Sequence, residues 1–372
     1  MRIAVLREIK PDEFRVAALP DSVRALRRAG HAVWVEHGAG EGCGHPDQDY
    51  AAAGATLCDA PTAWSQAELV YKVKEPQASE YARLRPGLTV FTYFHLAADR
   101  ALTEAVLKSG VNALAFESIR DRDGRLPCLV PMSEVAGRMS VQEGAKCLEK
   151  VSNGRGVLLA GVPGVRPAEV VVVGGGVVGS NAARMAAGLG ARVTVLDVSL
   201  PRLRYLAETL PANCVTVFAS HENLAAALAG ADLAIGAVLR EGAPTPKVIT
   251  ADMVRGMKPG SALVDVSIDQ GGCSETSRVT THSHPTYVEF GVVHYCVGNM
   301  PGGVARTSTE ALGNATLPYA LSLANLGPRR ALAADPGLAH GLNAAAGRVV
   351  HPEVARWLGV EAAAWDAALP AG

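Results

Sequence analysis

The chain has no polybasic block, no uninterrupted apolar stretch long enough for a membrane span, no Cys-x-x-Cys pair and no spacing that suits a metal. Each absence excludes something. With a formal net charge of −1 over 372 residues, nothing suggests nucleic acid or an anionic membrane as a partner. The most apolar stretch, residues 170–187, is interrupted by glycines, Asn181 and Arg184, so it reads as a sheet-and-helix core rather than a membrane span. The segment Met1–Glu8 is broken by charge too early for a secretory signal and reads as a first strand. The seven cysteines (Cys43, Cys58, Cys128, Cys147, Cys214, Cys273, Cys296) are odd in number and unpatterned, which implies reduced thiols and a cytoplasmic location. His282-x-His284 comes nearest to a ligand pair, but it sits in a Pro-bounded segment and reads as a solvated loop; no metal is expected.

What is there is apolar and rich in glycine. Hydrophobic residues make up 49% of the chain and charged ones 19%, a composition for two globular domains with much buried surface. Val170-Val171-Val172-Val173 runs into Gly174-Gly175-Gly176-Val177-Val178-Gly179, then a helix-like segment, then Arg192-Val193-Thr194-Val195-Leu196-Asp197. Strand, glycine turn, helix, strand and acidic residue in this order spell a dinucleotide-binding βαβ unit. Gly174 permits the tight turn, Gly176 lets the backbone approach a pyrophosphate, and Gly179 allows helix to pack on strand. The helix N-terminus offers unpaired N–H groups to the phosphates. Asp197 can accept hydrogen bonds from both hydroxyls of an adenosine ribose and would repel a 2′-phosphate, which favours NAD over NADP. A second glycine run, residues 38–44, has no helical segment behind it and reads as a loop.

The first 128 residues alternate apolar runs (Ile3–Leu6, Ala32–Val35, Leu69–Val73, Thr89–Phe94, Ala113–Phe116) with helical segments, from Pro20 to Gly30 and over Ala97–Ser109. The chain turns at Pro127–Pro131, and Ser133 is expected to cap a long helix reaching about Lys150 that carries the chain between domains. The expected fold is α/β: two Rossmann-like domains with parallel sheets. A substrate domain over 1–128 is interrupted by a dinucleotide domain over 129–305 and resumed over 306–372. The helical pattern Thr309–Leu326 has apolar residues that need a partner surface, so self-association is one use for it.

In open parallel sheets, ligands gather beyond the carboxyl ends of the strands. In the first domain Arg15, Lys74 and His95 follow strand-like runs and can point into one cleft. A guanidinium clamps a carboxylate, an ammonium polarises a carbonyl or imine oxygen, and an imidazole passes a proton, as oxidation of a small amino or hydroxy acid requires. Asp269, after Ala262–Ile268 and before Gln270-Gly271-Gly272, is placed to face a nicotinamide. Each residue also has a plainer reading. Arg15 can be a surface ion pair, and Lys74 alternates with Lys72, so that one of the two faces solvent. His95 can be a core histidine and Asp269 a turn residue. Glu8, Glu117 and Glu134 read as structural.

Nearly end to end, the chain resembles the alanine dehydrogenase and pyridine nucleotide transhydrogenase family, and within it alanine dehydrogenase. The resemblance rests on Glu13-Phe14-Arg15-Val16-Ala17, Val73-Lys74-Glu75-Pro76, His95-Leu96-Ala97, the 131–138 segment Pro-Met-Ser-Glu-Val-Ala-Gly-Arg, Gly161-Val162-Pro163-Gly164-Val165, the glycine fingerprint, Asp269-Gln270-Gly271-Gly272 and Asn299-Met300-Pro301. It implies that Arg15 and Lys74 bind substrate and that His95 and Asp269 are the catalytic pair. It places NAD contacts at Ser133, Val177, Val178, Asp197, Arg202, Val238, Leu239, the strand end Val266-Ser267-Ile268-Asp269, and Gly298-Asn299-Met300-Pro301. It also implies a homohexamer. Two departures stand out: Gly175 replaces the family's usual alanine and is expected to loosen the loop, and Ala219 stands where an adenosine-contacting serine is usual, with Ser220 as the candidate substitute.

The activity so implied is reversible oxidation of L-alanine by NAD to pyruvate, ammonium and NADH. Arg15 would hold the carboxylate, Lys74 the carbonyl oxygen, and His95 would exchange protons as water adds to the iminium, with Asp269 as its electrostatic partner. Domain closure would exclude water, and deamination should be favoured at alkaline pH, because the amine must be neutral to become an iminium. Three other readings compete. A transhydrogenase-like NAD(H) subunit would need no alanine site, and a saccharopine-type dehydrogenase would need more polar groups for its long substrate. An NAD-responsive binding protein would have no use for the four reactive groups.

Overall fold

The apolar runs form short strands. A computed structural model describes residues 1–238 and 245–369 of the chain, so Leu239 lies outside the described residues. β1 (Arg2–Val5), β2 (Ala32–Glu36), β3 (Thr56–Cys58), β4 (Leu69–Tyr71), β5 (Thr89–Thr92) and β6 (Asn112–Ala115) come first. β7 (Glu169–Val173), β8 (Arg192–Asp197), β9 (Cys214–Phe218), β10 (Leu233–Gly236), β11 (Ala262–Asp265), β12 (Thr286–Glu289) and β13 (Val292–Tyr295) follow, then β14 (Leu342–Ala345) and β15 (Arg348–Val349). Every residue of β4, β5 and β6 is buried, as parallel strands covered on both faces require.

Among the described residues these strands make two sheets. One has the order β15-β14-β6-β5-β4-β1-β2-β3, the other β12-β13-β11-β10-β7-β8-β9. Both are parallel through their middle, as expected, with antiparallel strands only at the edges. β14 runs antiparallel to β6, β15 antiparallel to β14, and β12 antiparallel to β13. Tight connections after β12 and β14 leave no room for the crossover that a parallel neighbour demands. In each sheet the strand order reverses at one point, between β1 and β4 and between β7 and β10. In sheets of this kind, ligands bind beyond the carboxyl ends of the strands at such a reversal.

The chain divides into two compact units, Met1–Met132 with Gly302–Gly372, and Ser133–Pro301. The first has a core of Ala4, Val70, Val90, Phe94, Leu102 and Val106, among others. Helix α1 (Pro20–Arg28) opens with proline in its first turn and ends on Arg27 and Arg28, charges that suit its carbonyl end. Helix α2 (Arg100–Ser109) is capped by Asp99, whose carboxylate accepts the Leu102 N–H. The second unit has its own core around Val171, Leu196, Ala234, Ile249 and Leu263.

Three boundaries differ from the sequence reading. Helix α3 covers Val130–Cys147, so Ser133 lies within the helix and is not its cap. Pro131 does not delay the start, because the first-turn N–H groups it lacks would have no helical partner anyway. β11 stops at Asp265, and Val266–Gln270 is a single 3-10 segment rather than a strand end. The Asp265 carboxylate turns the chain by accepting the N–H groups of Ser267, Cys273 and Ser274. Helix α4 (Val177–Gly188) follows the glycine turn as expected. Helix α5 starts early and covers Ala305–Leu326. Its Thr309, Leu312, Thr316, Ala320 and Leu323 face is buried in its own unit, where Thr309 Oγ1 accepts the Val16 N–H at 3.3 Å and Thr316 bonds the Tyr71 hydroxyl. That face is not a surface for self-association.

Residues 38–44 form turns around the 3-10 segment Glu41–Cys43. The seven cysteines are free thiols. Among the described residues no helix is long and apolar enough to cross a membrane, and no group of three or more His, Cys, Asp or Glu side chains could hold a metal ion.

Candidate functional site

In the second unit the glycine turn has the geometry of a phosphate cradle. Gly174 leaves β7 with φ +101°, a conformation open to glycine, and its N–H donates to Leu196 O at 2.7 Å. A Cβ at Gly179 would lie 1.8 Å from Gly174 O, whereas one at Gly176 would meet nothing within 4 Å. The backbone in front of the α4 N-terminus is therefore open to an incoming group, with Val177 and Val178 in its first turn. Asp197 ends β8 beside this turn; one carboxylate oxygen accepts the Gly175 N–H at 2.7 Å, the other the Ser199 N–H at 2.8 Å. Arg202 braces the loop from below, its Nε donating to Gly175 O and its Nη2 to Gly176 O at 3.3 Å. At Gly175, Leu206 Cδ1 lies 2.7 Å and Asp197 Oδ2 3.2 Å from where a Cβ would be, so both side chains pack against the glycine. These residues fit a dinucleotide.

The remaining nucleotide candidates line up along neighbouring strand ends. Ser267 Oγ donates to Val238 O at 2.7 Å, tying the end of β10 to the 3-10 segment that holds Val266, Ile268 and Asp269. Asp269 is exposed, and its Oδ1 accepts the Asn299 N–H at 2.9 Å, so Gly298-Asn299 and Asp269 are in contact. Asn299 takes the left-handed conformation at φ +56°, and Met300 and Pro301 beyond it are buried. Ser133 is half-buried on α3, four residues before Gly137 and thus on the same helical face. A Cβ at Gly137 would lie 2.3 Å from Val178 O, so this face of α3 abuts the first turn of α4. Ser220 caps the helix His221–Gly230, its hydroxyl accepting the Asn223 N–H at 3.1 Å.

In the first unit three reactive side chains gather at the carboxyl ends of β1, β4 and β5. Arg15 is only 2% exposed. Glu13 holds it: the Arg15 N–H and Nε donate to Oε1 at 3.0 and 2.7 Å, and Nη2 donates to Oε2 at 2.5 Å. Nη1 lies 3.1 Å from Met132 Sδ. Burial alone would raise the Glu13 pKa, but hydrogen bonds and charge from Arg15 outweigh it and hold the carboxyl down to about 2. Lys74 follows β4 with its Nζ 6.0 Å from the centre of the Tyr93 ring. Burial, and then the positive charge of Arg15, push its ammonium below the usual lysine range. His95 follows β5, stacked on the same Tyr93 ring with centres 5.9 Å apart and planes 3° apart. Tyr93 is itself pinned, its hydroxyl donating to Cys128 O at 2.6 Å.

Lys74 and His95 thus share one aromatic ring, the charge of Arg15 reaches both Lys74 and Tyr93, and Asp269 belongs to the other unit. The expectation that either Lys72 or Lys74 faces solvent fails for Lys72. It is fully buried between Glu8, 3.2 Å away, and Glu80, 3.3 Å away. Sequence reasoning missed Glu13, Tyr93 and Met132. Glu13 had a signal, a carboxylate two residues before a buried arginine; the other two are visible only once the strands are side by side.

Two family models match the chain: alanine dehydrogenase/PNT, N-terminal domain, over residues 4–136, and alanine dehydrogenase/PNT, C-terminal domain, over residues 140–352. The chain belongs to the alanine dehydrogenase/PNT family. Alanine dehydrogenase/PNT relatives include the alanine dehydrogenase of Halomonas elongata, 57% identical over 97% of this chain and 98% of that protein. The alanine dehydrogenase of Bacillus subtilis is 52% identical over 97% of this chain and 96% of its own length. A solved L-alanine dehydrogenase structure is 50% identical with a TM-score of 0.93, covering 96% of this chain and 99% of that one. The transhydrogenase from Sinorhizobium meliloti is 25% identical with a TM-score of 0.80, covering 95% of this chain and 99% of that one.

Proposed function

We propose that this chain catalyses the reversible, NAD-dependent oxidative deamination of L-alanine to pyruvate and ammonium. The observation that carries the reading is Lys74 and His95 on the Tyr93 ring with Arg15 within reach of its charge in one unit, and a dinucleotide cradle in the other. Full-length relatives named alanine dehydrogenase support the same reaction.

The residues divide the work. Arg15, oriented by Glu13, supplies the positive charge that meets the substrate carboxylate. Lys74 holds the carbonyl oxygen of pyruvate and orients Cα. A nicotinamide held by the cradle residues would supply the acceptor for the Cα hydride of alanine. His95 then removes a proton from the water that adds to the resulting iminium, and returns one to the leaving amine, so that pyruvate and ammonium depart. Asp269 supplies negative charge to the histidinium formed on the way. Asp197 selects NAD, since its carboxylate accepts ribose hydroxyls and repels a 2′-phosphate. Ser133, Val177, Val178, Arg202, Val238, Val266, Ser267, Ile268 and Gly298 to Pro301 complete the nucleotide site. By family analogy the working form is a cytoplasmic homohexamer.

The test is NADH formation by purified protein with NAD at alkaline pH, using L-alanine against D-alanine, L-serine and L-lysine, with His95→Ala as control. Turnover strongest on L-alanine and lost in the variant is the expected result. NADH binding without turnover on any amino acid would shift the reading to a transhydrogenase-like subunit.

A further inference from the structure

A strand that leaves a parallel sheet exposes N–H groups with no ladder partner, and buried ones must find an acceptor. At the end of β4 these include the N–H groups of Val73 and Lys74; at the end of β5, those of Phe94 and His95. Each set is taken by one glutamate from the adjacent strand. Glu8, three residues past β1, accepts from Val73 at 2.7 Å and from Lys74 at 3.2 Å, both on Oε1. Glu117, two residues past β6, accepts from Phe94 at 3.2 Å and from His95 at 2.6 Å on its Oε1. The same device appears twice, and each time the second N–H belongs to a residue assigned to the chemistry.

We propose that Glu8 and Glu117 are positioning residues, a pair of strand-end carboxylates that set Lys74 and His95 in place for the reaction. The inference rests on the alanine dehydrogenase reading above. Glu8 is fixed from behind, its Oε2 lying 3.2 Å from the buried Lys72 ammonium, which Glu80 steadies on its far side. A buried ion triad of this kind is a weak source of stability, because desolvation offsets most of its attraction. What it does provide is one geometry for Oε1, and hence for the Lys74 backbone. Glu117 acts on a more demanding conformation. His95 has φ +50°, an uncommon state for a residue with a Cβ, and one that persists where the surroundings over-determine it. The 2.6 Å bond from its own N–H supplies that constraint, and the same Oε1 lies 3.8 Å from the imidazole Nδ1. Backbone placement is therefore set by this carboxylate, and the ring it carries is stacked on Tyr93. Tyr93 lies between the two arrangements, under the His95 ring and beside the Lys74 ammonium.

The roles separate in steady-state kinetics of pyruvate reduction. Glu8→Ala should raise the KM for pyruvate roughly ten- to hundred-fold, because Lys74 no longer meets the carbonyl oxygen. Glu117→Ala should lower kcat by a similar factor with pyruvate KM nearly unchanged, because His95 is displaced. Glu8→Gln and Glu117→Gln keep an acceptor oxygen at the same place, so both should stay within about threefold of the unmodified protein. Glu8→Gln, facing Lys72 without charge, should nonetheless lose thermal stability. NADH affinity should hold throughout, since the nucleotide residues lie in the other unit. Unmodified protein without turnover removes the reading beneath the inference. Active unmodified protein whose alanine variants match it, or lose kcat and KM in equal proportion, overturns the inference itself. If the alanine variants do not fold, the glutamine variants decide: folded, NADH-binding protein more than about tenfold impaired contradicts it.

Discussion

Glu13 grips Arg15 along one edge of the guanidinium, Nε to Oε1 at 2.7 Å and Nη2 to Oε2 at 2.5 Å, with both side chains buried. Removing the acid leaves a buried cation without its counter-charge, which typically costs about 3–5 kcal/mol. Glu13→Ala should therefore be strongly destabilised in urea unfolding. Glu13→Gln, which keeps an acceptor but not the charge, should lose less stability and show a raised KM for pyruvate as Arg15 swings from its set direction.

The same pair gives an acid-dependent stability. The Glu13 carboxyl sits at about 2 in the native protein against an ordinary glutamate value of 4.5, a gap on the order of 3 kcal/mol. Between these values the unfolded chain binds a proton that the native state does not, so stability must fall as pH drops through this window. The advantage of the unmodified protein over Glu13→Gln should be complete above about pH 4.5 and mostly gone near pH 2. Parallel urea titrations of the two proteins across this range check it.

Lys74 supplies a limb at the other end of the scale. Burial and the nearby Arg15 charge push its ammonium below the ordinary lysine value of 10.5. Only the charged form can hold a carbonyl oxygen by charge-assisted donation. The kcat/KM for pyruvate should accordingly fall on the alkaline side at a pH below that value, and a pH–rate profile with saturating NADH and ammonia reads it directly.

Two glycines of the cradle should respond differently to the same added methyl. A Cβ at Gly179 would collide with Gly174 O at 1.8 Å, whereas one at Gly176 meets open space. Gly179→Ala should lose about 1–3 kcal/mol of stability or more along with NADH binding. Gly176→Ala should fold with nearly unchanged stability and lose NADH affinity alone. Thermal melts set beside NADH fluorescence titrations separate the two.

Asp197 tests the nucleotide preference. Asp197→Asn keeps an acceptor for the Gly175 N–H but gives up the charge that meets ribose and repels phosphate. Losing a charged hydrogen bond is worth about 1.5–3 kcal/mol, so the KM for NAD should rise roughly ten- to hundred-fold. The NAD-to-NADP preference should narrow by at least a comparable factor in side-by-side assays.

What could be read from the sequence follows a physical division. Val170–Val173, the glycine turn and Asp197 are contiguous, and each needs a specific residue type for a local reason. The strand runs at Leu69 and Thr89 were equally visible, because buried parallel strands are apolar throughout. β3 and β14 were not: Thr56–Cys58 is a partly exposed edge strand of three residues, and Leu342–Ala345 gains its meaning only by pairing with β6. Strand ends were misplaced where a side chain redirects the backbone, as Asp265 does at β11. Glu8 and Glu117 read as structural because their partners lie 65 and 22 residues away in sequence, and they bond backbone groups that carry no signature of their own.

The most direct test of the account follows the transferred hydrogen. With L-alanine deuterated at Cα, NAD and the purified protein at alkaline pH, mass spectrometry should find the deuterium in the nicotinamide ring of NADH, in step with pyruvate release. Pyruvate formed without label in NADH, or no turnover of L-alanine by protein that binds NADH, would contradict the account.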